Sequence, residues 1–554
     1  MKRSLLILLT LVMLLSFTAC VKTPKAPVLG GNKEELPDEN YEFTPPSENP
    51  ISDVTGAAWV THSFDKIAAN GAVPASLSTE YRVYMTRGET EGCQIAFRTD
   101  SNNELTLKCT YKEENSFDYE IFILDVNYDI KGELLPDPAV PYAEGASFTV
   151  QAGNTLPFII EFETLRDTKA GYYPFVFELR DGEDKTVAQY TLIVRVWAIT
   201  LPEKRTYQTS VVISEKDIAT YYFGSGTEVD DEVYVNYCDM LLEHNMSPQT
   251  LPYDVLDPRA DAYMSDPRVT SFKLPHNVSD ETLKAYYNKL KTNPKWLNKA
   301  YFLPFGECDT IEEIVRFCEI SLHLQEICPG IKITSPLSVD IQVDVLWDQI
   351  NAMKGYCTLW CPKLCLWDDE VSYGNHDYVH SMTFEARMRK MMKEGYGVWT
   401  YFSYTPSTPY TGFFVNHSGL HQRLLFWQQY QRGIHGIIYW STTAWNIFYQ
   451  VDPWETVFTG LYDNNNDPVY GDGILFYPGK NITDTPTVSQ RMKIMRDGID
   501  DIELLILAGK TLGSKWINDR VNSLSSALTS IEADEEAFTK IRIEIGNALE
   551  KALD

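Results

Sequence analysis

Positive charge is scarce in this 554-residue sequence: 48 Lys and Arg stand against 77 Asp and Glu, a net charge of −29 at pH 7. No run of Lys or Arg occurs. Neutralising phosphates needs a basic face, so nucleic acid is not an expected partner. The sequence also lacks a G-x-G-x-x-G in a strand-to-helix context, a P-loop and a G-x-S-x-G elbow, which removes the signals for nucleotide binding and serine hydrolysis. Cysteine is sparse. Nine follow Cys20, scattered from Cys93 to Cys365, and their odd number and spacing spell no disulfide framework. Cys357, Cys361 and Cys365 recur every fourth residue without a matching Cys/His pair, and His376-x3-His380 and His417-x3-His421 lack the Glu of an H-E-x-x-H helix. Neither a metal site nor another cofactor is therefore expected.

What the chain does have begins at its amino terminus. Lys2 and Arg3 precede an apolar stretch from Leu5 to Leu15, too short to span a bilayer, and Phe17-Thr18-Ala19-Cys20 is similar to a bacterial lipobox. Residues 1–20 are thus expected to be a lipoprotein signal peptide, with cleavage before Cys20 and lipid attachment there. That would anchor the protein in the bacterial cell envelope, with the outer membrane as the expected membrane. Residues 21–50, rich in proline and charge without periodicity, read as a flexible linker.

Two rhythms divide the remainder. Over 51–202, short alternating runs such as Tyr119-Glu-Ile-Phe-Ile-Leu and Phe175-Val-Phe-Glu-Leu-Arg are punctuated by turn clusters, the pattern of an antiparallel β-sandwich. Over 203–460, short apolar strands alternate with helix-length amphipathic stretches. Eight strands are expected: Thr206 to Ile213, Ser247 to Leu251, Val269 to Leu274, Lys299 to Phe305, Ile331 to Pro336, Tyr356 to Cys361, Gly397 to Tyr404 and Gly436 to Trp440. That rhythm predicts a (β/α)8 TIM barrel. Asp309-Thr-Ile-Glu312 reads as a capping box opening a helix to Ile327. A mostly helical carboxyl-terminal extension, 461–554, is expected to follow, with helices near 489–508 and 515–551.

In a barrel of this kind the chemistry sits at the carboxyl ends of the strands. Glu307, after the fourth strand and between Gly306 and Cys308, is the leading candidate for a general acid. Asp340, after the fifth strand, and Asp368, Asp369 and Glu370, after the sixth, are further acids on that face, and Asp340 and Asp369 are candidates for a second carboxylate. Aromatic residues make up 13% of the chain and gather at strands six to eight. Trp360, Tyr401, Tyr439, Trp440 and Trp445 are the expected sugar-binding rings, with Trp367, Trp399, Tyr404 and Tyr410 nearby.

Several motifs are similar to those of glycoside hydrolase family 123. The run Gly471-Asp-Gly-Ile-Leu-Phe-Tyr-Pro-Gly479, Ser489-Gln-Arg491 and Arg496-Asp-Gly-Ile-Asp-Asp-Ile-Glu503 resemble its carboxyl-terminal signature. Arg423, Trp427 and Tyr430, leading to Gly433, Gly436 and Tyr439-Trp440, resemble the approach to its last barrel strand, and Glu91-Gly-Cys-Gln94 the start of its sandwich. The likeness spans nearly all of residues 55–510.

It implies a β-N-acetylgalactosaminidase in which the substrate's own 2-acetamido oxygen attacks the anomeric carbon with retention. The family supplies an adjacent Asp-Glu pair at the end of strand four. Here the matching run, Tyr301-Phe-Leu-Pro-Phe-Gly306-Glu307-Cys308, keeps the acid as Glu307 but has Gly306 at the orienting Asp position. Three readings stay open. Asp309, Asp340 or Asp369 takes that role, the substrate lacks the acetamide, or the protein binds glycans without cleaving them. A glycan or glycoconjugate is the expected partner in each, neutral in preference to acidic, together with the membrane through Cys20.

Overall fold

Alternating side chains build the amino-terminal half, because a strand that buries every second residue needs a second sheet to cover that face. The structure, a computed structural model, describes residues 37, 40–46, 51–114, 116–308, 310–337, 349–368, 383–406 and 408–554. Within it, Pro37–Leu553 form one compact unit. The strands of the amino-terminal half are β1 (Gly56–His62), β2 (Glu80–Arg87), β3 (Thr90–Thr99), β4 (Asn103–Lys112), β5 (Tyr119–Ile123), β6 (Asn127–Ile130), β7 (Glu133–Pro136), β8 (Pro138–Pro141), β9 (Ser147–Val150), β10 (Thr155–Glu163), β11 (Gly171–Arg180) and β12 (Thr186–Thr200). One sheet runs β2-β12-β11-β4-β9 and the other contains β1-β3-β10-β5-β8. Between them lie Val83, Ile95, Phe97, Phe158, Phe162, Phe175, Phe177 and Val194.

A ring of parallel pairings follows. Its strands are β13 (Gln208–Val211), β14 (Phe272–Leu274), β15 (Ala300–Phe302), β16 (Lys332–Leu337), β17 (Leu359–Pro362), β18 (Gly397–Val398), β19 (Thr400–Phe402) and β20 (Gly436–Tyr439). Parallel pairing runs β14-β15-β16-β17-β18, and β19 pairs with β20 and β20 with β13. A parallel bridge from Lys363 to Tyr401 joins the β17 end to β19. Pro248 bridges Val211, and Lys273 N donates to Gln249 O at 2.7 Å, so residues 248–249 stand between β13 and β14. Each of the eight expected strands has a place in this circuit. These strands are buried on both faces, as parallel strands covered by helices must be.

Two local expectations are corrected. The helix after β15 is α1 (Ile311–Ile327), and its capping box is Thr310 with Glu313, one residue later than read: Thr310 Oγ1 accepts from Glu313 N at 3.2 Å and Glu313 accepts from Thr310 N at 3.0 Å. The extension is not helical throughout from 515 to 551 either. After α2 (Gly419–Arg432), the hairpin β21 (Phe458–Tyr462) and β22 (Pro468–Tyr470), and the pair β23 (Phe476–Tyr477) and β24 (Thr487–Ser489), come α3 (Gln490–Ala508) and α4 (Ser514–Leu524). A two-stranded turn, Ser525–Ala527 with Ser530–Ile531, then interrupts before α5 (Glu535–Leu553).

Helices and sandwich meet across buried charge. Arg423 of α2 donates to Asp501 Oδ2 at 2.7 Å and to Glu91 of β3, and Arg542 of α5 reaches Asp501 Oδ1 at 2.7 Å and also Glu89. Glu161 of β10 accepts from Lys493 at 2.8 Å and Arg496 at 2.7 Å, and Asp137 pairs with Arg491 at 2.7 Å. All of these side chains are buried. Burial pushes Glu89 and Asp497 up to about 7. Burial pushes Asp501 the same way, but Arg423 and Arg542 outweigh it and hold the carboxyl at about 2.

Candidate active site

The loop leaving β15 carries Glu307, and neighbouring groups fix its path. Ser335 of β16 donates to Gly306 O at 2.8 Å, and Gln349 Nε2 donates to Cys308 O at 2.7 Å. Glu307 is half-buried between exposed Gly306 and buried Cys308. Its Oε1 accepts a hydrogen bond from the Tyr401 phenol, which also approaches Leu337 O at 3.3 Å. Tyr401 belongs to β19, and its ring packs with Tyr301, Leu359, Cys361, Trp399 and Ile438. The Lys363 ammonium, itself buried, lies 5.9 Å from the centre of that ring. Burial, then the Glu307 charge, hold the Tyr401 phenol well above its ordinary pKa, so it stays a protonated donor. A carboxyl held through one oxygen, with no hydrogen bond to the other among the described residues, suits proton transfer.

The second constellation stands at the end of β20. Trp440 is half-buried, and its indole donates to Asp472 Oδ2 at 2.8 Å, while the Tyr439 phenol lies 3.2 Å from Asp472 Oδ1. Asp472 is 1% exposed and burial pushes its carboxyl up to about 7. Gly473, at φ +73°, lies flat under the indole: a Cβ there would come within 2.6 Å of the Trp440 ring. Glycine is what this close approach permits. The motif Gly471-Asp472-Gly473 is therefore a mount for Trp440, a role its sequence pattern did not disclose.

The expected aromatic sugar face separates into two groups. Trp360, Tyr439 and Trp445 are 0% exposed and lie in the core, with the Trp445 indole donating to Phe476 O at 3.1 Å. Rings sealed on all sides have no face to offer a sugar, which corrects their expected role. Trp367 and Trp399 are likewise buried. Tyr401 is present at the site as the partner of Glu307 rather than as an open platform, leaving Trp440 as the half-buried ring of the five. Tyr410 donates to Asp368 at 3.2 Å after β17. Asp309, Asp340, Asp369, Glu370, His376, His380 and Cys20 lie outside the described residues. The Tyr401–Glu307 pair was not foreseen, although both residues had been singled out. Their adjacency depends on β15 and β19 facing one another across the ring, which no local pattern encodes.

At Gly306, where the resemblance implied an orienting carboxylate, no heavy atom of the described residues beyond its chain neighbours would lie within 4 Å of an added Cβ. His417 Nδ1 is spent on the Gly412 backbone, and no group of His, Cys, Asp and Glu suited to a metal ion occurs among the described residues. Among the described residues no two cysteines are joined by a disulfide. No helix among the described residues is long and apolar enough to cross a membrane.

Residues 362–508 match the family model described as the glycoside hydrolase 123 catalytic domain. The match takes in Tyr401, Trp440 and Asp472 and begins beyond Glu307. Among solved structures, a family 123 glycoside hydrolase from Clostridium perfringens, described in terms of glycolipid glycan hydrolysis, is similar with TM-score 0.61 and 14% identity, over 90% of this chain and 98% of that one. At that identity the likeness is one of fold. A glycosyl hydrolase family 2 member from Bacteroides cellulosilyticus (TM-score 0.22, 9% identity, 69% of this chain and 45% of that one) is too distant to carry an argument. The same holds for the Ruminococcus gnavus β-glucuronidase (0.27, 10%, 69% and 67%). No curated protein matches the chain.

Proposed function

We propose that this protein is a glycoside hydrolase that removes terminal β-N-acetylhexosaminides, of GalNAc type, with retention of configuration and Glu307 as general acid/base. The observation that carries the reading is the Tyr401–Glu307 hydrogen bond at the carboxyl ends of β19 and β15, in a chain whose residues 362–508 match a glycosidase catalytic domain. The circuit of parallel pairings supports reading 203–460 as a (β/α)8 barrel, whose catalytic face is that end. In the proposed reaction the acetamido oxygen of the substrate attacks the anomeric carbon while Glu307 protonates the departing oxygen. The Glu307 carboxylate then takes a proton from the water that opens the cyclic intermediate. Tyr401 holds the carboxyl in place throughout, and Trp440 offers a ring to the sugar. The carboxylate that orients the acetamide would come from Asp340 or Asp369, and the mature chain would be held at the membrane by lipid on Cys20.

The test compares wild type with Glu307→Gln on chromogenic β-GalNAc, β-GlcNAc and β-galactoside substrates. A general acid should lose about 10²–10⁴-fold on replacement, whereas equal turnover by both proteins would refute the assignment. Gly306 favours a second reading, a noncatalytic glycan-binding protein on a glycosidase scaffold. Space for a side chain at Gly306 makes Gly306→Asp a direct discriminator: glycan binding without turnover, unaltered by this substitution, selects the binding reading.

A further inference from the structure

The hairpin β21–β22 follows β20 in the chain, and its two faces have opposite surroundings. Thr459 and Leu461 point inward with Val469, where Leu461 and Val469 pack with Phe414, Trp440 and Ile447. The hairpin is thus mounted on the same Trp440 that Asp472 holds. The outward positions should be polar on a sheet with one wet face. They are instead Phe458, Gly460 and Tyr462, and Tyr470 stands directly across from Phe458. Phe458 lies edge-on to Tyr462, ring centres 5.4 Å apart, and 5.8 Å from Tyr470. Gly460, at φ +86°, leaves a bare backbone on which the preceding loop lays two more rings. A Cβ there would meet Tyr449 at 2.9 Å and Phe448 at 3.3 Å. Phe448, Tyr449 and Tyr462 are 68%, 48% and 48% exposed. Five aromatic rings therefore form one continuous outward face, and a grouped apolar patch of this kind marks an interaction site where scattered single residues would not.

We infer that this face is a glycan-binding subsite, taking the neutral sugar rings that extend beyond the residue held at Glu307 and Trp440. The inference rests on the glycosidase-scaffold reading for the identity of that residue. Two observations select a glycan as occupant. The turn closing the hairpin is Asp463-Asn464-Asn465-Asn466-Asp467, so amides and carboxylates that bond sugar hydroxyls adjoin rings that cover the apolar faces of sugars. The Asp463 carboxylate and the chain's net charge of −29 disfavour an anionic lipid surface, Asp467 being paired with Lys131 at 3.8 Å. The hairpin that carries the patch rests by its other face on Trp440 of the candidate site.

The test uses the full chain carrying Glu307→Gln, so that ligand is not consumed, and calorimetric titration with a neutral GalNAc-terminated tetrasaccharide and with the methyl monosaccharide. The combined variant Phe448→Ser, Tyr449→Ser, Tyr462→Ser should weaken the tetrasaccharide about tenfold or more and the monosaccharide less than twofold. Phe448→Trp should retain tetrasaccharide binding, which separates stacking from loss of fold. Equal tetrasaccharide affinity before and after the triple substitution overturns the inference. So does loss of sedimentation with phosphatidylcholine vesicles, or of self-association, at unchanged glycan affinity. Tetrasaccharide binding through the patch by a wild-type chain that turns over no substrate would refute the hydrolase and leave the subsite standing.

Discussion

Replacing Arg423 by Met probes how the buried charges hold the fold together. The Arg423 guanidinium is 2% exposed, donates to Asp501 at 2.7 Å and to Glu91, and lies 3.7 Å from Asp497. Methionine keeps much of the volume and removes the charge. Arg542 would remain, at 2.7 Å from Asp501 and 3.4 Å from Glu91, and it already serves Glu89. One cation would then face three carboxylates without water. Breaking a buried pair in this way costs about 3–5 kcal/mol. The cost should depend on pH. With Glu89 and Asp497 already pushed up to about 7 by burial, the loss of positive charge moves neighbouring carboxyls upward too, and protonation offers relief. Urea unfolding at pH 8 should therefore show the full loss, and at pH 5 less than half of it. A loss below about 1 kcal/mol at pH 8, or the same loss at both pH values, would refute the electrostatic account and leave only packing.

Two further outcomes follow from the site. Asp472 titrates near 7 in the fold against 3.8 ordinarily, so its contribution to stability is complete below about pH 4 and is lost as pH rises through about 7. At about 1.4 kcal/mol per tenfold of proton affinity, that amounts to about 4 kcal/mol. Asp472→Asn should flatten the wild-type decline between pH 4 and pH 8, and parallel stability curves for the two proteins would exclude Asp472 as its source. Tyr401→Phe removes the donor on Glu307 while keeping the ring. A hydrogen bond to a charged group is worth about 1.5–3 kcal/mol, so kcat/KM should fall about 10–100-fold. An unchanged kcat/KM would show that Glu307 is oriented by something else.

Much of the architecture was legible because periodicity reports it directly. The two-residue rhythm before Thr200 and the strand–helix rhythm after it both correspond to observed elements. Errors arose where neighbouring residues are chemically interchangeable. Asp and Thr are both good caps and a Glu at 312 or at 313 could reach back, so the pattern alone does not separate Asp309–Glu312 from the observed Thr310–Glu313. The site was less legible for a different reason. Strands buried on both faces carry rings on either side with equal ease, so Trp360, Tyr439 and Trp445 gave no sign of which were sealed. The motifs that suggested the family proved to be largely structural. Glu91, Arg423, Arg491 and Arg496 hold helices to sandwich, Asp501 ties Arg423 to Arg542 and Asp497 pairs with Arg496, Gln94 Nε2 binds the backbone oxygens of His62, Ser63 and Asp65, and Asp472 props Trp440. Glu307, the proposed general acid, lies outside the matched segment.

The pairing of Arg491 with Asp137, of Lys493 and Arg496 with Glu161, and of Arg423 with Glu91 bears on modularity. Each cation belongs to the helices of the carboxyl-terminal half and each anion to the sandwich. A fragment beginning after Thr200 would expose four cations that had each lost a sandwich carboxylate, with Asp501 left to Arg423 and Asp497 to Arg496, and the excised sandwich would carry the complementary excess of acid. The halves are thus not interchangeable cassettes. A chimera that borrows a sandwich from another protein would have to import these three carboxylates in register, and any change of charge at one of them in the course of evolution would have to be answered on a helix more than two hundred residues away in the chain.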